Sequence, residues 1–261
     1  MSPRIKHTLD TAIPWVIPTL FLILWQLLGS LGILPKEILP TPIEVIKGTI
    51  RLAEDGSLYE YIWISTKRAF IGFFIGGIIG FVLGLINGLI PLASKLLDTS
   101  IQMIRTIPHL ALIPLVILWF GIGEDAKIFL VALGVAFPIY LNTYHGIRNV
   151  DKGLIEMGKV YGLKGFPLFW NILLPGALPS ILVGVRYALG IMWMSLIVAE
   201  TIASDTGIGY MATSAREFMQ MDIVILSIIL YALLGKLSDV LALGLEKKWL
   251  KWHPNFYKKR A

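Results

Sequence analysis

Six stretches of this chain, 14–34, 69–90, 101–120, 128–145, 178–199 and 223–245, are each predominantly apolar and long enough to cross a bilayer, which takes about 20 residues of α-helix. Only 15% of the residues are charged and 56% are apolar. A soluble domain carries about a quarter of its residues as charges to clothe its surface, so this chain is built for lipid. The reading is an all-α membrane protein with six transmembrane helices, folded as one transmembrane domain over 1–261. Arg4 and Lys6 precede the first apolar run, but that run continues too far for a secretory leader and lacks a small-residue cleavage site, so it is read as the first span.

Lys and Arg set the orientation. With the N-terminus inside, the inner segments hold thirteen: Arg4, Lys6, Lys95, Arg148, Lys152, Lys159, Lys164, Lys247, Lys248, Lys251, Lys258, Lys259 and Arg260. The outer segments hold seven: Lys36, Lys47, Arg51, Lys67, Arg68, Lys127 and Arg216. Both termini are therefore expected in the cytosol. The net charge of +6 is clustered at span ends and in the C-terminal tail, which suits anionic lipid and membrane orientation rather than nucleic acid. The chain has no cysteine, hence no disulfide and no thiolate metal site.

The segment 154–175 lies on the inner side. Glu156, Met157 and Gly158 are followed after three residues by Gly162, then after nine more by Ile172, Leu174 and Pro175. This spacing suits two short helices joined at a glycine that can enter the left-handed region. The second helix presents Phe166, Leu168 and Phe169, and Pro175 opens the next span, where proline costs least. On the outer side, Thr41-Pro42-Ile43-Glu44 has the layout of a capping box and predicts a surface helix with Ile43, Ile46 and Ile50 on one face. Glycines 72, 76, 80, 84 and 88 form one stripe along the second span that lets another helix approach closely. The partner across that stripe could be a second copy, the pathway or a helix of the same chain.

Several chemistries are excluded. No G-x-x-x-x-G-K-[ST] run is present to cradle nucleotide phosphates, and no H-E-x-x-H or G-x-S-x-G. The histidines at 7, 109, 145 and 253 are too scattered for a zinc cluster. Charges inside spans mark candidate function instead. Gln102, Arg105 and His109 share one face of the third span, which Pro108 and Pro114 interrupt by freeing the carbonyls of Ile104 and Leu110. Arg186 lies eleven residues past Pro175, roughly 16 Å along a helix and near the bilayer midplane. Two arginines on a central pathway suit an oxyanion, which a guanidinium grips through a planar fork. The opposing reading has Arg105 snorkelling to the inner headgroups and Arg186 closing a helix contact with a carbonyl or Glu200. Lys236 and Asp239 neutralise each other on one face. Glu200 stands at the outer end of the fifth span, before a turn at 204–210 that leads to a short helix at the outer mouth.

The 156–175 spacing resembles the EAA loop of ABC importer permeases, with Met157 and Gly158 where that family usually has two alanines. Other stretches narrow the resemblance: 97–103 (LDTSIQM), 108–120 (PHLALIPLVILWF), 126–133 (AKIFLVAL), 145–149 (HGIRN), 174–180 (LPGALPS), 198–201 (VAET) and 231–236 (YALLGK). Together they resemble the type I importer permeases of the nitrate/sulfonate/taurine/bicarbonate class, and within it the aliphatic sulfonate permeases. The resemblance implies a permease core over about 62–246 and a cytosolic coupling helix. It implies a non-enzymatic, multi-pass subunit of the bacterial cytoplasmic (inner) membrane that forms the path for a small organic anion. It further implies a homodimer, two ATPase subunits that use ATP and Mg, and an extracytoplasmic substrate-binding protein. This chain itself would hold no cofactor or metal. Glu156, Met157, Gly158, Gly162, Ile172, Leu174 and Pro175 are the implied coupling residues; Arg186, Arg105, Gln102, His109 and Glu200 are the candidates for the path. Taurine, nitrate and bicarbonate are the alternative cargoes. A secondary anion transporter is the alternative of another class, but it has no use for the loop spacing, and the chain lacks the internal repeat common in such proteins.

Overall fold

The computed structural model describes residues 3–202 and 204–252, and their side chains from residue 13 onward except at 109 and 110. In chain order the helices are α1 (Pro3–Ser30), α2 (Pro42–Glu54), α3 (Ser57–Leu89), α4 (Pro91–Thr106), α5 (Ile113–Phe120), α6 (Glu124–Arg148), α7 (Lys152–Val160), α8 (Gly165–Leu168), α9 (Leu174–Ile202), α10 (Ile208–Glu217) and α11 (Met221–Trp249).

α3, α6 and α9 form the centre. The glycine stripe of α3 lies against α6 of the same chain. A Cβ at Gly76 or Gly80 would strike the carbonyl oxygens of Ala132 and Ala136, and one at Gly84 would lie 2.8 Å from that of Tyr140. The stripe is therefore intrasubunit packing, with backbones brought too close for any side chain. At the far end, Gly88 faces Ile147, so α3 and α6 run parallel. The segment between them must return across the membrane.

That segment corrects the third expected span. Five continuous helical stretches among the described residues are long and apolar enough to cross; 101–120 is not one of them. α4 ends at Thr106, Ile107 turns extended (φ −70°, ψ 123°), and a 3₁₀ turn over His109–Leu112 leads into α5. Proline forces its predecessor out of the helical region, and Pro108 does so here. The carbonyl of Ile104 accepts instead from Ile107 N–H at 3.1 Å. The chain thus makes six crossings, one of them through a broken helix.

Two other boundaries shift. α1 ends before residue 34 because Gly32 takes a left-handed conformation (φ 73°) and Ile33 N–H closes on Leu28 O at 3.1 Å. Pro175 does not open the fifth span. The helix already runs from Gly165, through a turn of π-helix at Phe169–Leu173 in which Leu174 N–H reaches Phe169 O.

α2 carries the full capping box, with Thr41 Oγ1 accepting from Glu44 N–H and Glu44 Oε2 accepting from Thr41 N–H at 2.8 Å. Lys36, 2.8 Å from Glu44, and the Thr41 amide hold that carboxyl down to about 2. Val45 and Gly48 pack inward, Arg51 pairs with Asp222 at the start of α11, and Ile43, Ile46 and Ile50 stay exposed.

Candidate functional site

α7 begins at Asp151, whose carboxylate accepts from Gly153 N–H at 2.6 Å. It ends in a complete Schellman motif: Gly162 N–H reaches Lys159 O at 3.0 Å and Leu163 N–H reaches Gly158 O at 2.9 Å. Gly162 sits at φ 84°, the left-handed conformation its spacing called for. α7 then folds back onto α8. A Cβ at Gly158 would meet Ile172 Cδ1 and Leu168 Cδ1, so a small residue is what lets the two pieces close. Phe169, Ile172, Leu173 and Leu174 pack against Ile147, Val150, Ala177 and Ile181, which fixes the knuckle to the ends of α6 and α9. The outward face differs from expectation. Phe169 and Leu168 turn inward, while Phe166 and Trp170 are exposed and stack with centroids 6.0 Å apart. Glu156, Met157, Val160 and Tyr161 are exposed beside them. The exposed face of the knuckle therefore mixes large apolar side chains with the charge of Glu156.

The expected path residues do not converge. Gln102 is half-buried and Arg105 exposed on α4; the side chain of His109 lies outside the described residues. No hydrogen bond or ion pair joins any two of Gln102, Arg105, Arg186 and Glu200 among the described residues. Arg186 Nε donates to Asp239 Oδ1 at 2.6 Å, and Lys236 Nζ stands 3.4 Å from Asp239 Oδ2. The pair expected on α11 is thus a trio with α9, two cations on one carboxylate, and Arg186 stays 43% exposed.

Glu200 is the clearest departure. Its side chain is fully enclosed and bonded on all sides, so it lines no open path within this chain. It accepts from Ser65 Oγ at 2.8 Å, Tyr231 OH at 3.0 Å and Gly209 N–H at 2.9 Å, and from Arg68 Nη1 at 2.8 Å. Arg68, only 2% exposed, also donates to Glu124 Oε2 at 2.7 Å, Thr206 O at 2.6 Å and Thr206 Oγ1 at 2.8 Å. Lys127 pairs with Glu124 at 3.1 Å. A cleft of about 500 Å³ opens beside this network, lined by Ile122, Gly123, Glu124, Lys127, Ser204 and Asp205. One guanidinium therefore ties α3, α6, α9 and the turn before α10. Sequence reasoning counted Arg68 only as an outer positive charge. The available signal was that Arg68 and Glu200 each border an apolar run, where a charge requires a partner.

Comparison with known proteins bears on this arrangement. Residues 72–251 match the family described as the binding-protein-dependent transport system inner membrane component. Over 261 residues the chain is 58% identical to the putative aliphatic sulfonates transport permease protein of Escherichia coli (strain K12), covering all of this chain and 99% of the relative. It is 32% identical to the taurine transport system permease protein of the same organism, over 89% of this chain and 86% of that one. Among solved structures, an inward-facing MetNI methionine ABC transporter superposes with a TM-score of 0.56 at 21% identity, covering 70% of this chain and 93% of that one. A family model over most of the chain and a relative 58% identical along its whole length agree, so the chain belongs to the family of binding-protein-dependent transport system inner membrane components.

Proposed function

We propose that this chain forms the membrane path of an ATP-driven importer of aliphatic sulfonates. The observation that carries the reading is full-length identity of 58% to a permease named for those compounds. The trio Arg186–Asp239–Lys236 supports it. Arg186, Lys236 and Asp239 leave charged groups exposed on two spans, with Glu246 near enough to act on Arg186; lipid contact would be costly there, so in this reading the trio faces a water-filled path. A sulfonate is a weakly hydrated oxyanion that a guanidinium fork matches. Arg105, Gln102 and His109 on the broken third crossing are further path residues in this reading, whereas Glu200 acts through Arg68.

The working assembly is a homodimer of this chain with two ATPases on the cytosolic side and an extracytoplasmic binding protein. The ATPases hold ATP and Mg, since this chain has no phosphate-binding loop. Each would seat against the exposed face of α7 and α8, with Glu156 at its edge and Gly158, Gly162, Ile172, Leu174 and Pro175 shaping the knuckle. Deleting the gene should abolish growth on a linear alkanesulfonate as sole sulfur source and leave growth on sulfate unchanged. Retained growth on alkanesulfonate with loss on taurine would transfer the assignment to taurine.

A further inference from the structure

α4 is attached to the bundle in an unusual way. Its apolar residues Leu92, Leu96, Leu97, Met103 and Ile104 are exposed, and its one buried residue is Ser94. What holds it is a polar seam. Ser94 and Asp98, one turn apart, meet Tyr140, Tyr144 and Arg148, which are likewise spaced by single turns along α6. Arg148 Nη1 donates to Ser94 Oγ at 3.1 Å and to Tyr144 OH at 2.9 Å, and Ser94 Oγ lies 3.0 Å from Tyr144 OH. Tyr140 OH donates to Asp98 Oδ1 at 3.0 Å and accepts from Asn87 Nδ2 at 2.8 Å. The two tyrosine rings stack at 6.0 Å, and the Arg148 guanidinium lies 5.5 Å from the Tyr144 ring centre.

The far end of this seam touches the knuckle. Arg148 is the last residue of α6, and Asp151, the cap of α7, follows three residues later; Ile147 just before Arg148 and Val150 just before Asp151 belong to the apolar cluster that fixes the knuckle. α4 in turn leads directly into the break at Ile107. Hydrogen-bonded pins depend steeply on distance and angle, so they are made or broken as units. The Arg148 end of the seam can also let go without stranding a buried group. Arg148 is exposed enough to turn to water, and Ser94 and Tyr144 can still bond each other when it does.

We infer that Arg148 and Tyr144 through Ser94, and Tyr140 through Asp98, are positioning residues that pass movement of the knuckle to α4 and the broken third crossing. This rests on reading 152–173 as the ATPase-docking knuckle. The test uses the complete complex with its ATPase and binding protein in proteoliposomes, and measures anion imported per ATP hydrolysed. Ser94→Ala, Asp98→Ala and Arg148→Gln should each leave ATP hydrolysis near wild type. Each should lower that ratio by about tenfold, the scale of one hydrogen bond to a charged group. Ser94→Ala with Arg148→Gln should lower it no further than either alone, because both break the same pin. An unchanged ratio overturns the inference, and so does a fall in transport that only follows the yield of assembled complex. The ratio does not depend on which anion is carried, so a wrong cargo is revealed separately by wild-type uptake. A wrong knuckle is revealed by normal coupling in Gly162→Val.

Discussion

A guanidinium taken out of water is stable only when its donors are answered, and Arg68 answers them with two carboxylates and both oxygens of Thr206. The arrangement requires the backbone at Gly207 to pass between them. Gly207 sits at φ 104°, and a Cβ there would lie 2.7 Å from Arg68 Nη1 and against the Glu200 carboxylate. Gly207→Ala should therefore both strain the turn and part the buried pair. Breaking such a pair costs roughly 3–5 kcal/mol, enough to lower the thermal midpoint of the purified chain in detergent sharply. A midpoint within a degree or two of wild type would show that the network is slack. Arg186 behaves differently because its partner has a second cation: after Arg186→Met, Asp239 keeps Lys236. The yield of assembled complex should survive, while sulfonate uptake falls by roughly tenfold or more, the scale of one lost charge-assisted contact. Arg186→Lys, which keeps the charge and loses the fork, should fall less. Normal uptake in the Met variant would remove Arg186 from the path.

Local rules carried some elements fully. Thr41, Pro42 and Glu44 specify the start of α2 because a capping box is satisfied within four residues, and Gly162 specifies the end of α7 because a Schellman turn needs one left-handed residue. The prolines at 108 and 114 announced a disturbance but not its size. Whether a proline kinks a helix or ends it depends on what donates to the freed carbonyl, here Ile107 N–H. The fusion of α8 with α9 was not legible, since a π turn depends on how Phe169 and Ile172 seat in a cluster built from three distant segments. The Arg68 network was hidden for the same reason: its partners Glu124 and Glu200 are 56 and 132 residues away. The knuckle gives the prediction at this scale. Gly162→Val places a β-branched residue at φ 84°, a conformation that costs an L-residue about 1–2 kcal/mol and a branched one more. The spans do not depend on that turn, so membrane insertion and yield should be retained. ATP-driven uptake should be lost as α7 loses its angle to α8. Full uptake together with normal ATP hydrolysis in this variant would show that the turn is not part of the docking surface.

At the scale of the whole chain, the ends of the helices fix which loops share a side. Arg68 near the start of α3 bonds Glu124 at the start of α6 and Glu200 near the end of α9. At the opposite ends, Gly88 of α3 meets Ile147 of α6, and Val150 packs on Gly176. α3 and α6 therefore run parallel and α9 antiparallel to both, so the knuckle and the Arg68 network lie on opposite faces of the membrane. On the Lys and Arg count the knuckle face is expected in the cytosol: Lys152, Lys159 and Lys164 lie with it, and the segments on its side as a set carry the larger positive charge. The basic residues at 258–260 contribute to that count and lie outside the described residues. Because the chain has no cysteine, single thiols report sidedness without a background. Ser57→Cys at the start of α3 and Phe218→Cys beyond α10 should react with a membrane-impermeant maleimide added to spheroplasts. Tyr161→Cys, exposed in the knuckle, should react only after the membrane is opened. The reverse pattern would invert the molecule and separate α7 from any cytosolic ATPase. Equal labelling of Ser57→Cys and Tyr161→Cys from one side would contradict the parallel run of α3 and α6, and with it the six crossings.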